Sequence, residues 1–213
     1  MSQDDVVAAL IDTQGTLFSE EMGAHVARNT PQELFHWMEG AILLSARIDA
    51  ALAVQAARAL RSGRLHKIDV ILATDYWDMV AVLRDNGYRR YDEKTAEYLR
   101  ETAQWMRDRY QDDLRNMLDD DPDVVLKRLT GAKGLGKVGA SIFAREAQLV
   151  WDVFYPRADG PALKAAERLD LPAETEPLVA LAGSRERFVR LMAALTRAAL
   201  DGPAPAVSDA ARR

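Results

Sequence analysis

"LTGAKGLGKVGASIF", residues 129–143, places a Gly-x-Gly-Lys turn directly before an apolar run of helical character. The two glycines that flank Leu135 allow positive φ and close approach of the backbone to a ligand. At the start of a helix, free amides and the helix dipole favour an anion. The surrounding charge agrees. From Val125 to Arg145 there are five basic residues (Lys127, Arg128, Lys133, Lys137, Arg145) and no acidic one. A nucleotide P-loop is excluded, because it needs a strand before the turn and a Ser or Thr after the lysine. Here a helical segment precedes the turn and Val138 follows Lys137. What remains is helix, glycine hairpin, helix, with a basic rim. A tight interhelical turn that needs glycine for packing alone is the plainer reading, since Gly-x-Gly by itself is weak evidence.

The segments around the hairpin also read as helices. Alanine, leucine and arginine dominate and β-branched runs are short. "ELFHWMEGAILLSARIDAALAVQAARAL" (33–60) is apolar enough for a buried central helix pair. Further helices are expected over 74–87, capped by Thr74 or Asp75 and stopped by Gly87, and over 91–110, with Ala96, Leu99, Ala103 and Met106 on one face. Others follow over 120–129, 136–151, 159–169 and 184–200. No strand signal is strong enough to build a sheet. The class is all-α, about ten helices in a two-lobed arrangement. One helical unit is expected over 1–200, with the helix-hairpin-helix at about 122–151. The Pro/Ala-rich end, "DGPAPAVSDAARR" (201–213), is expected to be a disordered tail.

Composition narrows the chemistry. The 213 residues suffice for one large or two small packed domains, and 48% are hydrophobic. There is no cysteine, which excludes disulfides, a thiol nucleophile, an iron–sulfur cluster and cysteine-ligated zinc. His25, His36 and His66 are scattered, so no histidine zinc pair is expected. The net charge of −5 argues mildly against a nonspecific polyanion binder, although local patches decide contact. No 18-residue apolar run is present and the N-terminus "MSQDDVVAAL" is acidic. The expectation is a soluble, cytoplasmic monomer without a membrane partner.

The hairpin stretch resembles the helix-hairpin-helix of the endonuclease III-like DNA glycosylase superfamily, whose turn reads Leu-Pro-Gly-Val-Gly-x-Lys-x-Ala. Three further segments are similar to that family in the right order. "ILLSARIDAALAVQAARAL" (42–60) is similar to its "LLSAQ"-type early helix, and "VLRDNGYRRYDEKTAEYL" (82–99) to its Gly-containing loop and following helix. "YPRADGPALKAAERL" (155–169) resembles the segment that carries the family's catalytic aspartate. Together these span roughly residues 30–170.

The resemblance implies an endonuclease III-like fold and double-stranded DNA, damaged or distorted, as the partner, with a nucleoid-associated location. It implies that Gly134, Gly136, Lys137 and Lys133 hold a backbone phosphate, with a K+ or Na+ ion on the hairpin backbone and no other cofactor. The family's lysine nucleophile lies two positions after the second hairpin glycine, which here is Val138. One helical step turns a side chain by about 100°, so Lys137 does not substitute, and no lyase activity is expected. Asp159 matches the family aspartate and would stabilise a cationic sugar as a damaged base leaves. It also reads as a helix cap, worth about 1 kcal/mol. Arg47 matches a duplex-wedging position, and Tyr88 and Arg89 fall in the second wedging loop, where an aromatic ring can stack on a base. Trp37, Trp77, Trp105 and Trp151 are expected in the core, with Trp37 as a candidate base-pocket wall.

Three functions stay open on these residues. The first is a monofunctional DNA N-glycosylase that uses Asp159 on a flipped base. The second is a non-catalytic relative that binds distorted duplex. The third is an all-helical interaction protein whose hairpin is only a turn, supported by the pI of about 5.3.

Overall fold

The computed structural model describes residues 2–212. Among the described residues the chain forms thirteen α-helices and three short 3-10 turns, with no strand. The helices are α1 (Gln3–Gln14), α2 (Phe18–Met22), α3 (Pro31–Ser45), α4 (Ala50–Ser62), α5 (Ile68–Ala73), α6 (Tyr76–Asp85), α7 (Asp92–Tyr110), α8 (Pro122–Leu129), α9 (Gly136–Ala147), α10 (Gly160–Arg168), α11 (Thr175–Ala182), α12 (Arg185–Asp201) and α13 (Pro205–Arg212). They fall into two compact units. One holds the chain up to Phe18 and again from Arg145 onward, and the other spans Ser19–Ala144.

In the unit formed by 19–144, α3 is the central helix. It is buried on every side from Glu33 to Leu43. Its buried Glu33, His36 and Glu39 each have a partner, although Glu39 Oε1 accepts no hydrogen bond among the described residues. Glu33 accepts from Arg61 at 3.0 and 3.1 Å, and from the His25 amide at 2.9 Å. His36 Nδ1 lies 2.8 Å from Glu39 Oε2, and its Nε2 lies 3.0 Å from the Met22 carbonyl. The helix pair read over 33–60 forms, with the break at 46–49, where Asp49 caps α4 through the Ala51 amide. Ala53, Ala56 and Ala57 give α4 a small-residue face that is wholly buried. On α7 the expected apolar face forms, with Ala96, Leu99, Ala103 and Met106 fully buried. Asp75 caps α6 through the Trp77 amide at 2.8 Å, and Asp121 caps α8 through the Asp123 amide at 2.9 Å.

The other unit packs α1, α10, α11, α12 and α13 around Val6, Leu10, Phe188, Leu191 and Leu195. Burying each such large side chain contributes about 1.5–3 kcal/mol. The expected disordered tail is corrected for the described residues. Pro205–Arg212 is helical, and Val207 is fully buried in this core. The cause is tertiary. Gln14 accepts from the Ala204 amide at 3.0 Å and donates to the Gly202 carbonyl at 3.1 Å, tying the tail to α1. No helix among the described residues is long and apolar enough to cross a membrane.

Candidate nucleic-acid interface

The hairpin forms as the spacing predicts: α8, a turn over 130–135, then α9. Its four glycines do different work. A Cβ on Gly131 would lie 2.6 Å from Trp105 Cζ2, and one on Gly134 would lie 2.5 Å from Tyr98 Cδ2. On Gly139 it would lie 2.5 Å from Ser45 Oγ. These three let the hairpin press against α7 and the end of α3. Gly136 is the exception. It has φ of 52° and nothing within 4 Å of a Cβ position. It opens α9, whose first amides (Gly136, Lys137, Val138) have no acceptor inside the helix. The first turn of α9 holds no acidic residue. The hairpin therefore presents an uncovered, left-handed glycine and free amides, the arrangement that accepts an oxyanion.

The cations around it are not equivalent. Lys137 is exposed and has no ion-pair partner among the described residues. Lys133 is exposed too, with its Nζ 3.5 Å from Glu101 on α7. Arg128 is tied to the Met117 and Leu118 carbonyls and to Asp119, so it braces the base of the hairpin. Val138 is 68% exposed, an unusual place for a large apolar side chain. The position that the resemblance gives to a lysine is thus at the surface and uncharged.

Arg47 follows α3 and is exposed. It lines one cleft of about 350 Å³ with Gly134 of the hairpin and Tyr91, Lys94 and Tyr98. The structure thus brings together two of the expected contact points, Arg47 and the hairpin, on one unit. Sequence reading missed the α7 side of this cleft. Lys94 pairs with Glu97 at 2.7 Å, and its Nζ lies 5.0 Å from the centre of the Tyr98 ring. The i, i+3 and i, i+4 spacing of those three residues was the available signal.

Tyr88 does not fill the role expected of it. Its side chain is fully buried and its hydroxyl donates to the Leu43 carbonyl at 3.0 Å. Burial pushes its phenol up to about 12. A ring enclosed this way packs the loop against α3 and cannot stack on a base. Arg89, beside it, is exposed, as is Arg90, whose guanidinium lies 5.2 Å from the Tyr91 ring centre. Trp37 is likewise enclosed, donating to the Phe143 carbonyl at 3.0 Å, and is no pocket wall. Trp77 departs the other way. It is 60% exposed, stacked edge-on against Tyr76.

Asp159 lies in the other unit, as the N-cap of α10. Its Oδ1 accepts from the Ala162 amide at 3.3 Å. Its Oδ2 accepts twice from Arg145, from Nε at 2.7 Å and from a terminal guanidinium nitrogen. Both side chains are nearly enclosed, at 9% and 11% exposure. Gln148 fixes the approach to this pair. It donates to the carbonyls of Arg145 and Arg157 at 2.8 and 2.9 Å and accepts from the Arg157 amide at 2.8 Å. The cap was legible from "DGP". The arginine was not, because nothing in the spacing of 145 and 159 announces a contact.

Among the described residues, no group of three or more His, Asp or Glu side chains is placed to hold a metal ion. No protein-family model matches the chain, and no curated protein matches it. Among solved structures it is similar to a trapped endonuclease III–DNA covalent intermediate, an estranged-adenine complex. The identity is 16% and the TM-score 0.51, over 93% of this chain and 86% of that one. At this identity the likeness is one of fold: the chain has an all-α, endonuclease III-like architecture with a helix-hairpin-helix.

Proposed function

We propose that the chain binds damaged or distorted duplex DNA and acts as a monofunctional N-glycosylase of the base-excision type. The observation that carries the binding reading is Gly136. It is left-handed and uncovered at the start of a helix with free first-turn amides, beside Lys137, which has no ion-pair partner among the described residues. A glycine needed only for packing would touch something, as Gly131, Gly134 and Gly139 do. The endonuclease III neighbour is itself a DNA complex, which supports the same reading. The hairpin holds a backbone phosphate, and Arg47, one cleft away, enters the duplex where a base has left it.

In the catalytic reading Asp159 stabilises the cationic sugar as the base departs. Val138 supplies no amine, so the reaction ends at base release without strand cleavage. No iron–sulfur cluster takes part in a chain without cysteine. A potassium or sodium ion on the hairpin belongs to the same proposal. Among the described residues the carbonyls of Thr130, Gly131 and Gly134 accept no hydrogen bond, so the turn has oxygen donors of the kind a hard cation takes.

One observation favours a second reading, a non-catalytic binder of distorted duplex: Asp159 is already engaged by Arg145. A single experiment separates the two. Duplexes that carry a panel of damaged bases are incubated with the protein and treated with hot alkali. Strand breaks that vanish in Asp159→Asn support the glycosylase. Tight lesion binding with no breaks on any substrate supports the binder. Binding that is absent, or insensitive to salt, removes both.

A further inference from the structure

Asp159 is the carboxylate on which the catalytic reading rests, and it does not present a bare negative charge. Its Oδ2 is held by two guanidinium nitrogens of Arg145, and its Oδ1 by an amide at the positive end of α10. The enclosure of both side chains keeps water from screening the pair, so most of the field of the carboxylate is spent on the guanidinium. The pair is also built, not incidental. The buried Gln148 amide makes three hydrogen bonds that fix the backbone at Arg145 and Arg157, on either side of the contact. Arg145 has no other ion-pair partner among the described residues.

We propose that Arg145 sets the charge that Asp159 offers to DNA, acting as a positioning residue that compensates the carboxylate in the free protein. The inference rests on the reading that Asp159 faces the sugar. With the pair closed, a positively charged sugar gains only part of what an uncompensated carboxylate would give it. With the guanidinium gone, the carboxylate is uncompensated and the site becomes selective for the cation.

Two duplexes test this. They differ only in the central nucleotide, a neutral tetrahydrofuran abasic analogue in one and a pyrrolidine analogue, cationic at neutral pH, in the other. The quantity read is the ratio of their dissociation constants, at fixed salt, so that hairpin binding cancels. The wild-type ratio is expected to favour the cationic duplex by no more than about threefold, and Arg145→Met to shift it about tenfold further toward that duplex. Arg145→Lys keeps the charge and should keep the wild-type ratio. Adding Asp159→Asn to Arg145→Met should restore it. Arg145→Gln, which retains hydrogen-bonding capacity, replaces the methionine variant if the latter does not fold, with the same expected shift. A ratio that is unchanged across these variants while both duplexes bind overturns the inference alone. So does a tenfold wild-type preference for the cation that Arg145→Met leaves in place. Failure of both duplexes to bind overturns the DNA reading and the inference with it.

Discussion

Gly134 sits directly on the ring of Tyr98, with no room between them for a methyl group. Two residues later, Gly136 has the same positive sign of φ and open space above it. The two glycines of one motif therefore differ: Gly134 is required by packing as well as by its φ, whereas at Gly136 only the left-handed backbone calls for glycine.

Substitution separates these reasons. Gly134→Ala forces a Cβ to 2.5 Å from an aromatic carbon in a left-handed backbone, and should destabilise by about 1–3 kcal/mol in a urea titration. Gly136→Ala meets nothing, so its cost is limited to the left-handed conformation, about 1 kcal/mol. Its methyl does, however, stand on the uncovered face. DNA affinity of Gly136→Ala should fall about tenfold or more while the fold persists, because close backbone approach to the phosphate is lost. If Gly136→Ala binds duplex as wild type does, Gly136 is not a phosphate contact.

The two hairpin lysines should differ in the same experiment. Lys137 is unpaired among the described residues, whereas Lys133 already has Glu101 at 3.5 Å. Neutralising one phosphate lowers the slope of log affinity against log salt by about 0.9. Lys137→Ala should show a loss of that size. Lys133→Ala should show a smaller one, since Glu101 on α7 offsets part of its charge. Equal losses would mean that the Glu101 contact does not persist in the complex.

These distinctions mark where the sequence could be read and where it could not. Asp49, Asp75, Asp121 and Asp159 stand before apolar periodic runs, and each caps the helix that follows through a local amide. Such contacts lie within three residues, so a sequence displays them. The face of α7 is legible for the same reason, being set by helical period alone. What escaped needed partners far along the chain. Pro and Ala over 201–213 look like a tail until Gln14, about 190 residues away, bonds the turn that starts α13. Tyr88 reads as a wedging residue until its hydroxyl finds the Leu43 carbonyl 45 positions back. Arg145 is counted among the basic residues of the hairpin window, yet its charge is taken up by Asp159.

Arg47 and Tyr88, both read as wedging residues, should now part company. Tyr88→Phe removes a buried hydrogen bond and should cost about 1 kcal/mol of stability, with lesion affinity unchanged. Arg47→Ala removes an exposed side chain at the cleft with Gly134, and should leave thermal stability within about 0.5 kcal/mol of wild type. Its affinity for an abasic duplex, compared with an intact one, should drop. Loss of lesion preference in Tyr88→Phe, or its retention in Arg47→Ala, would reverse the assignment.

The buried pair at the centre of α3 predicts how stability follows pH. His36 Nε2 faces the Met22 carbonyl, which can only accept, so Nε2 carries a proton, and Nδ1 faces Glu39 Oε2 at 2.8 Å. Burial is the main reason that the Glu39 carboxyl is pushed up to about 7, against an ordinary 4.5, with His36 and Arg61 pulling the other way. A raised carboxyl pKa means that the folded state holds a proton which the unfolded state releases. The stabilisation is therefore complete below about pH 4.5 and is lost as pH rises through about 7. Nearby His66, pushed down to about 4 by burial, acts in the opposite sense: its contribution is present above its ordinary 6.5 and lost as pH falls through 4. Glu39→Gln isolates the first effect, because His66 is common to both proteins and cancels in the difference. Urea midpoints at pH 5 and pH 8 should show wild type losing about 2–3 kcal/mol relative to Glu39→Gln across that interval. A difference that does not change between the two pH values would show that Glu39 ionises normally and that its burial in α3 does not set this pH dependence.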